Sequence, residues 1–199
     1  VTTDNSALTK RGRAKADRRR QLLQAAARLI AERGFAGVRL EDLGSAVGIS
    51  GPAVYRHFPN KEALLVELLV DISRRLLEGG ISVADVASTP DEALAGLIEF
   101  HLDFALGEPD LIRVQDRDLE SLPAAERRQV RQFQRRYVEV WVEVLRKVDA
   151  DLAESDARIK AHATFGLINS TPHSVNPSAP AHTRAVLRAM TAAALAPGV

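Results

Sequence analysis

The sequence predicts an all-α chain of about nine helices, and three observations carry that expectation. Apolar residues recur at helical spacing in every long segment, from Leu22, Leu23, Ala26, Leu29 and Ile30 near the front to Val186, Leu187, Met190, Ala193 and Ala194 near the end. No segment alternates apolar and polar residues long enough to make a strand, and even the valine-rich run at 138–148 keeps a helical period. Glycine and proline stand where helices start and stop.

Taken in order, Asp17–Arg33 reads as a first helix ended by Gly34, with Phe35 tucked behind it. Leu40, Leu43 and Val47 form the stripe of a short second helix, and Gly48 supplies the positive φ that ends it. Ile49 fills the corner. Ser50 is placed to cap a third short helix through its hydroxyl, with Pro52 in the first turn, where a missing N–H is harmless. Val54 and Phe58, four apart, face back toward the second helix. Asn60 caps a fourth helix expected to stop at Gly79-Gly80. Thr89-Pro90-Asp91-Glu92 opens the fifth, to about Leu106. Helices from Asp110 to about Leu119 and from Pro123 to about Val148 follow. The last two span 155–170 and 182–195, joined by a polar loop over 171–177.

Charge divides this series. Residues 1–62 hold 12 Lys/Arg against 6 Asp/Glu, whereas residues 63–199 hold 15 against 20, so the net charge of +1 hides a basic front and an acidic remainder. A basic front third points to a polyanion partner. Lys/Arg neutralisation of phosphates supplies most sequence-independent affinity for DNA. The expected organisation is a disordered basic arm over 1–16, a helix-turn-helix domain over 17–62 and a helical domain over 63–199. Within the arm, Lys10-Arg11-Gly12-Arg13 resembles the core of an AT-hook, which would send Arg11 and Arg13 into a minor groove.

The helix pair at 40–58 has the build of a helix-turn-helix, whose second helix enters the major groove. Ala31-Glu32-Arg33-Gly34-Phe35, Asp42-Leu43, Val47-Gly48-Ile49-Ser50 and above all Val54-Tyr55-Arg56-His57-Phe58-Pro59-Asn60-Lys61-Glu62-Ala63-Leu64 resemble the DNA-binding domain of the TetR family of one-component bacterial regulators. The resemblance covers about a quarter of the chain, residues 17–69. It implies phosphate contacts from Tyr55, His57 and Lys61, a cap from Ser50, and base reading around Gly51, Pro52 and Ala53. Those three side chains offer no hydrogen-bond donor to a base edge, so only backbone approach and thymine-methyl contact remain to them. Sequence reading then leans on Arg56, on Arg39 (where the family often has Ser or Thr) and on the arm.

The resemblance further implies a ligand-binding, dimerising C-terminal domain. Phe100, His101 and Phe104 on one helix, and Phe133, Tyr137 and Trp141 on another, gather most of the aromatic side chains and are the candidate ligand contacts. The same stripes would also suit plain core packing. The last two helices, the final one rich in alanine, are the expected homodimer face, giving a four-helix bundle that sets two recognition helices on a palindromic operator.

Other classes find less support. The chain has no cysteine, so disulfides and thiol chemistry are absent, and no catalytic residue, metal site or cofactor is expected from any motif. No apolar run is long enough for a membrane span and the N-terminus lacks the apolar core of a secretory signal, so the cytoplasm is the expected compartment. The reading is a repressor released from its operator by a small hydrophobic effector, an acyl-CoA or related metabolite among the options. An alanine- and arginine-rich composition fits a high-GC, actinobacterial source. The rivals are an effector-independent structural DNA-binding protein and a small all-helical enzyme.

Overall fold

The structure, a computed structural model, describes residues 10–174 and 179–196. Among these residues there are ten α-helices, one 3-10 turn and no strand. The chain divides into two compact units, the first ending at Leu68 and the second beginning at Leu69.

In the first unit, α1 runs Lys10–Arg33, α2 Leu40–Val47 and α3 Gly51–Tyr55, and α4 (Lys61–Val86) begins. The start of α1 corrects one expectation: residues 10–16, assigned to a disordered arm, are helical. Ala14, Ala16, Lys15 and the neighbouring arginines are strong helix formers with no proline among them, so helix propagates outward from the apolar stripe at Leu22. Arg13 is exposed on this helix, while the Arg11 side chain and residues 1–9 lie outside the described residues.

The turns are made as glycine permits. Gly34 (φ 78°) donates to the Ile30 carbonyl at 2.8 Å, and Gly48 (φ 71°) ends α2. A third glycine does different work. A Cβ on Gly44 would lie 2.8 Å from the Ile49 carbonyl oxygen and 3.0 Å from Val54 Cγ2, so α2 and α3 cross where only a hydrogen fits. Leu22, Ile30, Leu43, Val54, Phe58, Leu64 and Leu65 close the core, each burial contributing about 1.5–3 kcal/mol.

The second unit holds the rest of α4, then α5 (Pro90–Gly107), α6 (Pro109–Asp118), a 3-10 turn (Leu119–Ser121), α7 (Ala124–Val148), α8 (Glu154–Ile168), α9 (Thr171–Ser174) and α10 (Pro180–Leu195). α7 packs on α5 and α8, and α10 lies across the same two helices. Arg184 anchors α10 by donating to Glu99 at 3.0 Å and to Asp103. Thr89 caps α5 as expected, its Oγ1 accepting from Glu92 N–H at 3.2 Å.

Two expectations fail here. Gly79-Gly80 does not stop α4, which continues to Val86. A Cβ on Gly79 would meet Phe100 Cζ at 2.2 Å, and one on Gly80 would meet Tyr137 Cε2 at 2.4 Å. These glycines admit aromatic rings against an unbroken helix. The loop expected over 171–177 also starts as helix, and Thr171 is buried with its hydroxyl donating to the Ala105 carbonyl at 2.8 Å. Residues 175–178 lie outside the described residues.

Candidate functional site

The structure carries two candidate sites, one in each unit. In the first, α3 shows solvent an edge made by Pro52, Tyr55 and Arg56, with Gly51 and Ala53 half-exposed beside them. Arg39 is exposed at the start of α2, where its N–H donates to Asp42 Oδ2 at 2.9 Å. That bond satisfies one N-terminal donor of α2 and leaves the guanidinium unused for capping. Ser50 does occupy the N-cap position of α3, but its hydroxyl makes no capping bond. Ala53 N–H goes instead to the Ser50 carbonyl at 2.9 Å, and Pro52 has no N–H to offer.

Tyr55, His57 and Lys61 do not protrude alike. Tyr55 is 49% exposed and its hydroxyl donates to Glu41 Oε1 at 3.1 Å, an interaction that raises its pKa. His57 is half-buried, and its Nδ1 has no hydrogen-bond partner among the described residues. Burial first, then Arg19, Lys15, Arg18 and Arg56, lowers the His57 pKa, so the ring is neutral at pH 7. Lys61 turns inward. Its Nζ donates to the carbonyls of Phe35 (3.0 Å), Ala36 (3.3 Å) and Val38 (3.3 Å) and sits 4.6 Å from the centre of the Phe35 ring.

Arg19, on α1, holds the far end of the corner. It pairs with Glu67 through both nitrogens of its fork, donates to the His57 carbonyl and lies 4.2 Å over the Phe58 ring. Sequence spacing of 38 and 48 residues hides such contacts.

Replacing Lys61 by Met keeps an apolar stem over Phe35 and strips three carbonyls of their donor. The expected result is a loss of about 1–2 kcal/mol in urea unfolding without any DNA present. Wild-type stability combined with weakened DNA binding would return Lys61 to the phosphates.

The second site is a cavity of about 250 Å³ in the C-terminal unit. Leu76, Phe104, Ile112, Val138 and Phe165 form its apolar wall; Ser73, His101, Gln115, Gln134, Tyr137, His162 and Asn169 supply polar groups. Of the six expected contacts, His101, Phe104 and Tyr137 line it, and Phe100, Phe133 and Trp141 do not. Phe100 is taken up against Gly79, and Trp141 is fully buried behind the wall, edge-on to Phe165 with ring centres 5.3 Å apart. Phe165 and Asn169 were missed because α8 has no aromatic stripe to mark its inner face, and Gln115 on α6 and Gln134 on α7 because a polar side chain on a helix reads as solvent-facing.

Inside, Tyr137 Oη lies 3.2 Å from His101 Nδ1, and His101 Nε2 lies 3.0 Å from Asn169 Oδ1. An oxygen at Asn169 requires Nε2 to donate, leaving Nδ1 to accept from the tyrosine. Burial pushes the His101 pKa down to about 4 and the Tyr137 pKa up, so both are neutral at pH 7. Among the described residues no cluster suited to a metal ion exists. Among the same residues no helix is long and apolar enough to cross a membrane.

The first unit thus has the build of a helix-turn-helix, and the second is a helical unit that encloses a partly apolar cavity. Residues 22–68 match the family model of bacterial regulatory proteins of the tetR family, and residues 87–196 match that of the tetracyclin repressor-like C-terminal domain. The chain belongs to the TetR family of transcriptional regulators. It is 32% identical over 141 residues to the HTH-type transcriptional repressor KstR2 of Mycolicibacterium smegmatis, spanning 68% of this chain and 67% of that one. It is likewise 32% identical over 129 residues to the regulator EthR of the same species, covering 62% and 59% of the two chains. Among solved structures, AibR in complex with isovaleryl coenzyme A and operator DNA superposes with a TM-score of 0.71 at 20% identity, covering 87% of this chain and 97% of the other.

Proposed function

We propose that the protein is a homodimeric repressor, working in the cytoplasm, that leaves a palindromic operator when a small, largely apolar molecule fills the cavity of its C-terminal unit. The observation that carries this reading is the pairing of an exposed Arg39, Tyr55, Arg56 edge with a neutral cavity placed elsewhere in the chain. Tyr55 and Arg56 seat α3 on phosphate, Arg39 reaches phosphate or guanine, and Gly51, Pro52 and Ala53 bring backbone and methyl groups against base edges. His57 contributes a neutral N–H at most, and Arg13 lies on α1 near the start of the domain.

The dimer forms through α8 and α10. On α10, Leu187, Thr191 and Leu195 point inward, whereas Val186 and Met190 are 42% and 52% exposed; Ile159 on α8 is 66% exposed. Three large apolar side chains facing water on α8 and α10 support the reading that a second copy covers these helices. A ligand that binds the two arrangements of the dimer unequally shifts operator affinity through α4, which has residues in both units. Acyl-CoA is one candidate class, since AibR is seen with isovaleryl coenzyme A.

Fluorescence anisotropy on the DNA upstream of the protein's own gene tests the reading. The expected preference over random duplex is about 10³-fold or more, weakening steeply with salt. The double variant Tyr55→Phe, Arg56→Gln should weaken that binding by at least about tenfold. Equal affinity for every sequence would instead favour a structural DNA-coating protein.

A further inference from the structure

A second recess of about 230 Å³ shares three wall residues, Gln134, Val138 and His162, with the cavity. The two spaces differ in one property. The inner cavity is lined by no Lys, Arg, Asp or Glu, whereas Arg131, Arg135, Arg158 and Glu139 stand around the outer one. Of these three cations only Arg135 lacks a carboxylate partner among the described residues, in a part of the chain that is otherwise acidic.

These arginines are unequally engaged. Arg158 is bound to Glu139 and, at 3.0 Å, to Glu154; Arg131 pairs with Glu120 at the surface. Arg135 is exposed and has no ion pair among the described residues. His162 is exposed as well, so the shared wall borders solvent. Within the cavity the polar groups of His101, Tyr137 and Asn169 satisfy one another, and Ser73 Oγ donates to the Leu69 carbonyl at 2.7 Å. The side chains of Gln115 and Gln134 make no hydrogen bond among the described residues, so their amides are left to recognise a ligand carbonyl or hydroxyl.

We infer that the effector is an amphiphile of a particular polarity: an uncharged body fills the inner cavity, and an anionic end lies in the outer recess on Arg135 and Arg131. This rests on the reading of the cavity as the effector site. A charge buried in the inner space would meet no counter-ion, while an anion in the recess gains charge-assisted hydrogen bonds from guanidinium groups at little desolvation cost. Anionic carboxylates and phosphates both satisfy the recess.

Trp141, the single tryptophan, touches the wall through Phe165 and Tyr137 and reports occupancy by its fluorescence. Three probes share one chain: octanoate, octanoyl coenzyme A and the uncharged octanoyl thioester of N-acetylcysteamine. The wild-type protein should bind at least one anionic probe about tenfold more tightly than the uncharged thioester. Preference for octanoate assigns a carboxylate to the recess; preference for the coenzyme A ester alone assigns phosphate. In Arg135→Gln, and more fully in Arg131→Gln/Arg135→Gln, the preference should shrink to within about twofold while the uncharged thioester keeps its affinity. Thermal melting confirms that each variant is folded, and Arg135→Gln alone, which breaks no ion pair, decides the matter if the double variant is destabilised. Equal binding of charged and uncharged probes, a preference that survives Arg135→Gln, or no binding of any probe would overturn the inference. Operator binding by the ligand-free wild-type protein, run in parallel, separates these failures from failure of the proposed function.

Discussion

Gly80→Ala is expected to destabilise the protein by about 2 kcal/mol and to abolish ligand binding in the C-terminal cavity. The sign is the informative part, because Gly→Ala inside a helix ordinarily stabilises by about 1 kcal/mol. Gly80 sits within α4, and its added Cβ would lie 2.4 Å from Tyr137 Cε2 and 3.0 Å from Cδ2. The ring cannot retreat. Tyr137 is 5% exposed, stacked on Phe165 at 5.5 Å between centres and hydrogen-bonded to His101. Overpacking of this kind costs about 1–3 kcal/mol, and loss of the buried Tyr137–His101 bond adds about 1 more, together exceeding the helix gain. Gly79→Ala provides the contrast. Its Cβ would meet the far tip of the half-buried Phe100, which can swing without touching the cavity, so the stability change should be smaller and ligand binding retained. Urea unfolding of both variants, with Trp141 fluorescence as the probe, separates the two cases. A Gly80→Ala protein more stable than wild type would mean that α4 and Tyr137 do not approach so closely.

The same two glycines show where the sequence misleads. Read along the chain, Gly79-Gly80 after an apolar stripe is a stop signal, because a local rule knows only backbone freedom. Packing overrides it: the pair is a notch for two rings that lie 21 and 57 positions further on. Apart from the Ser50 hydroxyl, which makes no capping bond, features governed by neighbours within four residues were legible. Asn60 does cap α4, its Oδ1 accepting from Ala63 N–H at 2.7 Å, and Gly48 does take positive φ. Lys61 illustrates the opposite limit, since its three carbonyl partners lie 23 to 26 residues away across a turn. The candidate cavity was half legible for a related reason. Its aromatic members on α5 and α7 advertise themselves at helical spacing, whereas α8 brings Phe165, Asn169 and His162 from a helix with almost no amphipathic contrast. Trp141, part of an aromatic stripe that suited either ligand contact or core packing, belongs to the core.

His101 makes the stability of the protein depend on pH in a window where most surface carboxylates are still charged. Buried at 3% exposure among Phe104, Tyr137, Trp141 and Phe165, it titrates at about 4 in the folded protein, against 6.5 when unfolded. Desolvation is the main cause, opposed only by the Asn169 hydrogen bond. The unfolded chain therefore binds a proton that the folded one refuses. Stability from this residue is complete above about pH 6.5, falls as the pH drops toward about 4, and is flat below. The full difference is about 3 kcal/mol. His101→Gln preserves hydrogen bonding to both neighbours and removes the titration. The stability difference between wild type and this variant, from urea unfolding at about pH 7.5 and about pH 4, cancels the contributions of all other groups. Wild type should lose about 2–3 kcal/mol relative to the variant over that interval. Parallel stability curves would show that water reaches His101 through the cavity and solvates its charged form.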